Sequence, residues 1–162
     1  MVMRKLSELL DLHHDLEDIF FAHQCKLLQF EFDEALALLE QYEKALLTHI
    51  KDENEHLIPI YAERGTIAKG GAVQMFLDDH EKLINHIELF KEEIANLPNE
   101  PELEKRLIWI LEREAFFKKL ADHHDIRETN FLYPELDRIT SDEEKLELLS
   151  RVTCQFSTAK TV

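Results

Sequence analysis

Two stretches of the chain follow one grammar: "HIKDENEHLIP", residues 49–59, and "HHDIRETNFLYP", residues 123–134. His49, Glu53, Leu57 and Pro59 stand at the same relative positions as His124, Glu128, Leu132 and Pro134. On a helix, residues four apart are neighbours on one face, so each stretch sets an imidazole beside a carboxylate. Whether the chain is helical there, and which way that face looks, decides both the fold and the chemistry.

Only 3 Gly and 4 Pro in 162 residues leave few places to turn, and the length suits one domain with a full core. Apolar residues recur at steps of three and four through five segments. A first helix is expected from about Lys5 to Phe30. A second runs from an N-cap at Asp33 to about Arg64 and stops at Gly65, before the glycine-bearing loop "GTIAKGGA". A third spans about Val73 to Leu97. A fourth is opened by a capping box of Asn99 and Glu102 and reaches about Leu136. A shorter fifth helix begins at a second box, Ser141 with Glu144, and the tail "FSTAKTV" is expected to fray. Four long amphipathic helices with short connections bury their seams best when antiparallel. The expected fold is therefore all-α, an up-down-up-down four-helix bundle over residues 1–140, with residues 141–162 as an accessory helix and tail of the same domain.

A lone exposed His–Glu contact at this spacing contributes only about 0.2–0.5 kcal/mol and needs no function. Here, however, His49 and Glu53 continue the seam of Tyr42, Leu46 and Ile60, and His124 and Glu128 continue that of Leu103, Leu107, Ile110 and Phe117. Polar groups facing a core are costly unless something satisfies them, and a metal ion would. On the first helix His13 shares the seam of Leu9, Leu16 and Phe20, whereas His14 is turned away by about 100°. His23 also faces inward but lies about 15 Å further along the axis, which suits a hydrogen-bonded core histidine. On the third helix His80, and not His86, shares the face of Phe76, Leu83 and Ile87. His56 is expected on the inward seam of the second helix, about 10 Å from His49.

Axial level tests the grouping independently. His13 stands 19 residues before a turn near residue 32, and His49 stands 17 after it. Glu53 and His80 lie 15 and 12 residues from a connection near residue 68. His80 and His124 lie 19 and 25 from a turn near residue 99, a looser match partly absorbed by "PNEP". One layer thus contains His13, His49, Glu53, His80, His124 and Glu128. Six ligands exceed the four of a closed zinc site and suit two ions with bridging carboxylates. Nitrogen and oxygen donors without thiolate favour iron first, then manganese or zinc.

The two H-x3-E-x3-L-x-P runs, together with "DDHEKL" on the third helix, resemble the hemerythrin-like HHE cation-binding family from about Leu6 to Leu136. That resemblance implies terminal imidazoles from His13, His49, His80 and His124, carboxylate bridges from Glu53 and Glu128, and two iron ions joined by an oxo or hydroxo bridge. It departs from the oxygen-carrying members at two places. Ile84 stands where they carry a second histidine on the third helix, and His124 with Glu128 replaces their H-x4-D. One coordination position is then left for water or an exogenous ligand. The implied function is binding of a small diatomic ligand, oxygen or nitric oxide, or sensing or storage of iron. The alternative is a diiron enzyme: a peroxidase, an oxidase, or one acting in nitric-oxide detoxification or iron–sulfur repair.

The formal charge of −15 makes nucleic acid and anionic membrane surfaces poor partners. "MVMRKLSELLDLHHD" meets Glu8 and Asp11 before any run that could act as a signal peptide, and no stretch approaches a membrane span. Cys25 and Cys154 do not form a disulfide framework and suit a reducing cytoplasm. A monomer or homodimer is expected.

Overall fold

The computed structural model describes residues 4–152; their regular structure is all helical, joined by short turns and one loop, with no strand among the described residues. A 3-10 segment, Leu6–Asp11, leads into α1 (Leu12–Leu28). α2 (Phe32–Asp52) passes through a π-helical turn, Glu53–Leu57, into α3 (Ile58–Arg64). α4 (Val73–Asn96) ends in a 3-10 turn, Leu97–Asn99. α5 (Leu103–Arg127) passes through a second π turn, Glu128–Leu132, into α6 (Tyr133–Ile139), and α7 (Asp142–Arg151) follows. The four long helical runs and the short fifth helix are as expected. The tail from residue 153 on, with Cys154, lies outside the described residues.

Two helix starts differ from expectation. Glu31, not Asp33, precedes α2, because the chain leaves α1 through a tight C-terminal turn in which Glu31 N–H donates to Lys26 O (3.0 Å) and Phe30 N–H to Leu27 O (3.1 Å). Phe30 takes the left-handed conformation that glycine usually fills there, with φ 60°. Asn99 does not cap α5, since Pro98 draws Leu97–Asn99 into the 3-10 turn and Glu102 becomes the preceding residue. The Ser141–Glu144 capping box is present, with Glu144 N–H donating to Ser141 Oγ at 3.2 Å.

The helices meet in opposite chain directions. Between α1 and α2, His13 pairs with His49, Phe20 with Tyr42, and His23 with the Ala35 carbonyl. Between α2 and α4, Glu43 pairs with Lys91; between α4 and α5, Asp79 with Arg127 and Phe90 with Phe117. α5 closes back on α1 through Asp125 to His13 and Glu114 to Gln24. Arg64 ties the end of α3 to Glu144 of α7 and to the Ile139 carbonyl.

The buried apolar side chains fall into two cores. One contains Leu16, Phe20, Tyr42, Leu46, Leu83 and Phe117 among others. The second gathers Leu6, Leu9, Leu57, Tyr61, Phe76 and Leu132 with their neighbours. On every long helix the gap between the two is filled by a polar residue: His13, His49 and Glu53, His80, or His124 and Glu128.

Both repeated motifs generate their π turns in the same way. The Ile58 N–H donates to Glu53 O and the Tyr133 N–H to Glu128 O, five residues back, just before a proline that has no N–H to donate. The prolines therefore neither end the helices nor mark their limits. In an α-helix, steps of four drift about 40° each around the axis. The wider π turn absorbs that drift, so His49, Glu53, Leu57 and Tyr61 all remain buried, as do His124, Glu128, Leu132 and Leu136. The extra residue also corrects the expected seam: His56 and Ile60 become only half-buried, and Leu57 and Tyr61 take the inward places.

Candidate metal centre

All six residues read from the sequence converge in the polar layer, each at most 9 % exposed. Their inward atoms interlock. His49 Nε2 lies 2.9 Å from Glu53 Oε1, and His80 Nε2 lies 3.0 Å from Glu53 Oε2. His124 Nε2 touches Glu128 Oε1, while His13 Nε2 and His49 Nε2 each stand 3.9 Å from a Glu128 oxygen. His13 and His49 meet through their Nε2 atoms at 3.2 Å. Ligand atoms form two compact groups, Glu53, His80, His124 and Glu128 on one side and His13, His49 and Glu128 on the other. Each carboxylate reaches histidines of both groups, because Glu53 also touches His49.

The outward ring nitrogens of His13, His80 and His124 are held by other residues. Asp125 Oδ1 lies 3.2 Å from His13 Nδ1, Asn54 Oδ1 is 2.9 Å from His80 Nδ1, and Asp79 Oδ2 is 3.3 Å from His124 Nδ1. Asp79 is in turn fixed by Arg127, whose guanidinium also reaches the Gly70 carbonyl at 2.9 Å. Anchoring at Nδ1 fixes ring orientation and points Nε2 inward, the arrangement typical of metal-binding histidines. Tyr133, fully buried, donates its hydroxyl to Glu53 Oε1 at 2.7 Å. The loop between α3 and α4 closes this end. Gly70 adopts φ 94°, and at Gly71 a side chain would collide with the Tyr61 hydroxyl and Phe131.

Several inward atoms are close together yet make no hydrogen bond: Glu53 Oε2, His80 Nε2, His124 Nε2 and both Glu128 oxygens. Their proximity is a crowding of lone pairs around shared points. Leaving such groups buried without a partner costs about 1–3 kcal/mol each. With protons alone to balance charge, the layer polarises. Burial lowers His49, but the Glu53 carboxylate outweighs it and holds the imidazolium up to about 9. Burial, reinforced by the Glu53 charge, pushes Glu128 up to about 8. Burial and the neighbouring His49 charge drive His13 down to about 3. A cation shared between these atoms satisfies them all in one step, so the donor set fits a metal.

The other histidines lie apart. His14 is exposed and His86 packs at the edge of Phe90, Phe116 and Phe117. His23 bonds to the Ala35 carbonyl at 2.7 Å and to Glu114 at 2.5 Å, both side chains fully buried, as expected of a core histidine. Ile84 packs on the larger core. Sequence reading missed Asp79, Asn54, Asp125, Tyr133 and Glu114. Asp79 sits inside the quoted "DDHEKL", and Glu114 falls on the seam between Ile110 and Phe117, so both were within reach of the same face argument.

Beside the layer, a cavity of about 290 Å³ runs between α1 and α5 to His13 and His49. Among the described residues no helix is long and apolar enough to cross a membrane. No family model, curated protein or solved structure matches the chain.

Proposed function

We propose that the chain is a hemerythrin-like, up-down-up-down four-helix bundle that holds two metal ions, with iron the preferred metal and manganese or zinc the alternatives. The observation that carries the reading is the buried set of imidazole and carboxylate atoms that lack hydrogen bonds while their outer nitrogens are anchored. His80 and His124 would hold one ion, and His13 and His49 the other. Glu53 and Glu128, each touching both histidine groups, would bridge them. Tyr133 and Asp79 orient Glu53 and His124, and the two apolar cores exclude bulk water.

Bound iron would supply electron transfer and an exchangeable position for a small diatomic ligand such as oxygen or nitric oxide, or a means of sensing or storing the metal itself. An enzymatic role, as a peroxidase or oxidase, is the second reading, and the cavity opening onto the layer favours it. The test is metal analysis of protein purified without added metal, with visible spectra before and after reduction and air exposure. About two ions per chain and an oxygen-responsive absorption band are expected, and Glu53→Ala and His124→Ala should each lose at least one ion. Protein that carries no metal and takes none up on anaerobic iron addition would overturn the proposal.

A further inference from the structure

The cavity between α1 and α5 is several times larger than any diatomic ligand requires. A cavity of about 150 Å³ lined by apolar side chains already binds benzene, and this one measures about 290 Å³. Leu16, Phe20, Tyr42, Leu46, Leu83 and Phe117 form its walls. It exists because α5 places Ala121, the smallest side chain on its inward seam, between Phe117 and His124, where a larger residue would fill the space. At the exposed end Glu17 and Asp122 stand with Lys118, whose ammonium is hydrogen-bonded to Gln24 at 3.1 Å. At the inner end Asp125 is engaged by His13. Between the apolar walls an anion or cation would lose hydration, and in the metal-free protein no unengaged charge stands there to replace it.

We propose that this cavity binds an uncharged, ring-sized apolar organic molecule, seated against the His13 and His49 side of the polar layer. The assignment deepens the dimetal reading and rests on it for the identity of that neighbour, although the cavity itself does not depend on metal. The experiment titrates toluene and phenol, with benzoate and benzylamine as charged counterparts, into metal-free and metal-loaded protein. Binding is followed by proton NMR and by the shift in melting temperature.

Toluene should saturate at one molecule per chain in both forms and raise the melting temperature, with the charged probes at least tenfold weaker in the metal-free protein. Ala121→Phe should weaken toluene at least tenfold while the metal content stays the same. If that variant does not fold, Leu16→Phe fills the same space from the opposite wall. Failure of toluene to saturate, equal affinity in the filled variants, or tighter binding of benzylamine would each overturn the assignment. Toluene binding by a protein that takes up no metal would sink the dimetal reading and leave the cavity site standing. Two bound metals with no toluene binding would do the reverse.

Discussion

His23 and Glu114 form a second buried polar pair, one that serves structure alone. Both are fully buried, His23 is bonded on both ring nitrogens, and Glu114 also accepts from Gln24 at 3.3 Å. Removing one member strands the other in a low-dielectric core, which costs about 3–5 kcal/mol, whereas replacing both by apolar residues of similar volume is often neutral. His23→Ala should therefore lower unfolding stability in urea by about 3 kcal/mol with metal content unchanged, and His23→Leu with Glu114→Leu should recover most of it. A double-mutant cycle showing simple additivity would contradict the pairing. At the same scale, Glu144 illustrates an exposed but strongly oriented carboxylate. The Arg64 guanidinium, then the Ser141 N–H, hold it down to about 2. Its folded value is depressed, so its contribution to holding α7 is present above the ordinary carboxylate range and fades as pH falls toward 2. An NMR titration should place its midpoint near that value, and Arg64→Gln should move it back up; an unchanged midpoint would exclude the Arg64 contact in solution.

Among the elements, the two π turns carry the most consequence. Each contains one residue more than an α turn would, and that residue keeps polar-layer and core side chains on one face across a proline. Deleting exposed Asn130 from Glu128–Leu132 should leave an α turn with Leu132 three residues from Glu128, turning Leu132, Tyr133 and Leu136 by roughly 60° off the shared face. All three are fully buried, and each loses about 1.5–3 kcal/mol when exposed, so most of the stability of a marginally stable domain is at stake. Calorimetry should find the deletion variant unfolded or melting far lower, and metal-poor, while Asn130→Ala stays close to the parent. A deletion variant with parental melting and metal content would show that the register does not depend on the turn.

For the whole molecule, two apolar cores are separated by a layer that neither core can satisfy. Any ion bound to that layer in the folded state alone must stabilise the fold by mass action. At a free metal concentration about a thousandfold above Kd the gain is about 4 kcal/mol. For a domain of this size that corresponds to a rise in Tm of about 8–16 °C. Removing metal with a chelator should lower Tm by that order, and replacing Glu53 or Glu128 should abolish the difference. Equal Tm with and without metal would mean that the layer holds nothing.

Helical periodicity, scarce glycine and the repeated His–Glu grammar were enough to read the long helices and the six converging side chains from the chain itself. Spacing along a helix fixes which residues share a face and roughly how far along the axis they stand. It does not fix the residue count of a turn, and so His56 and Ile60 were read as inward where Leu57 and Tyr61 are. Nor does it reveal contacts between helices. The pairing of Asp125 with His13, of Asn54 with His80 and of Tyr133 with Glu53 joins residues 26 to 112 positions apart, and only packing brings them together. The cavity is of the same kind: Ala121 is an unremarkable residue in the sequence, and its small side chain becomes an opening only because α1 and α5 face each other across it.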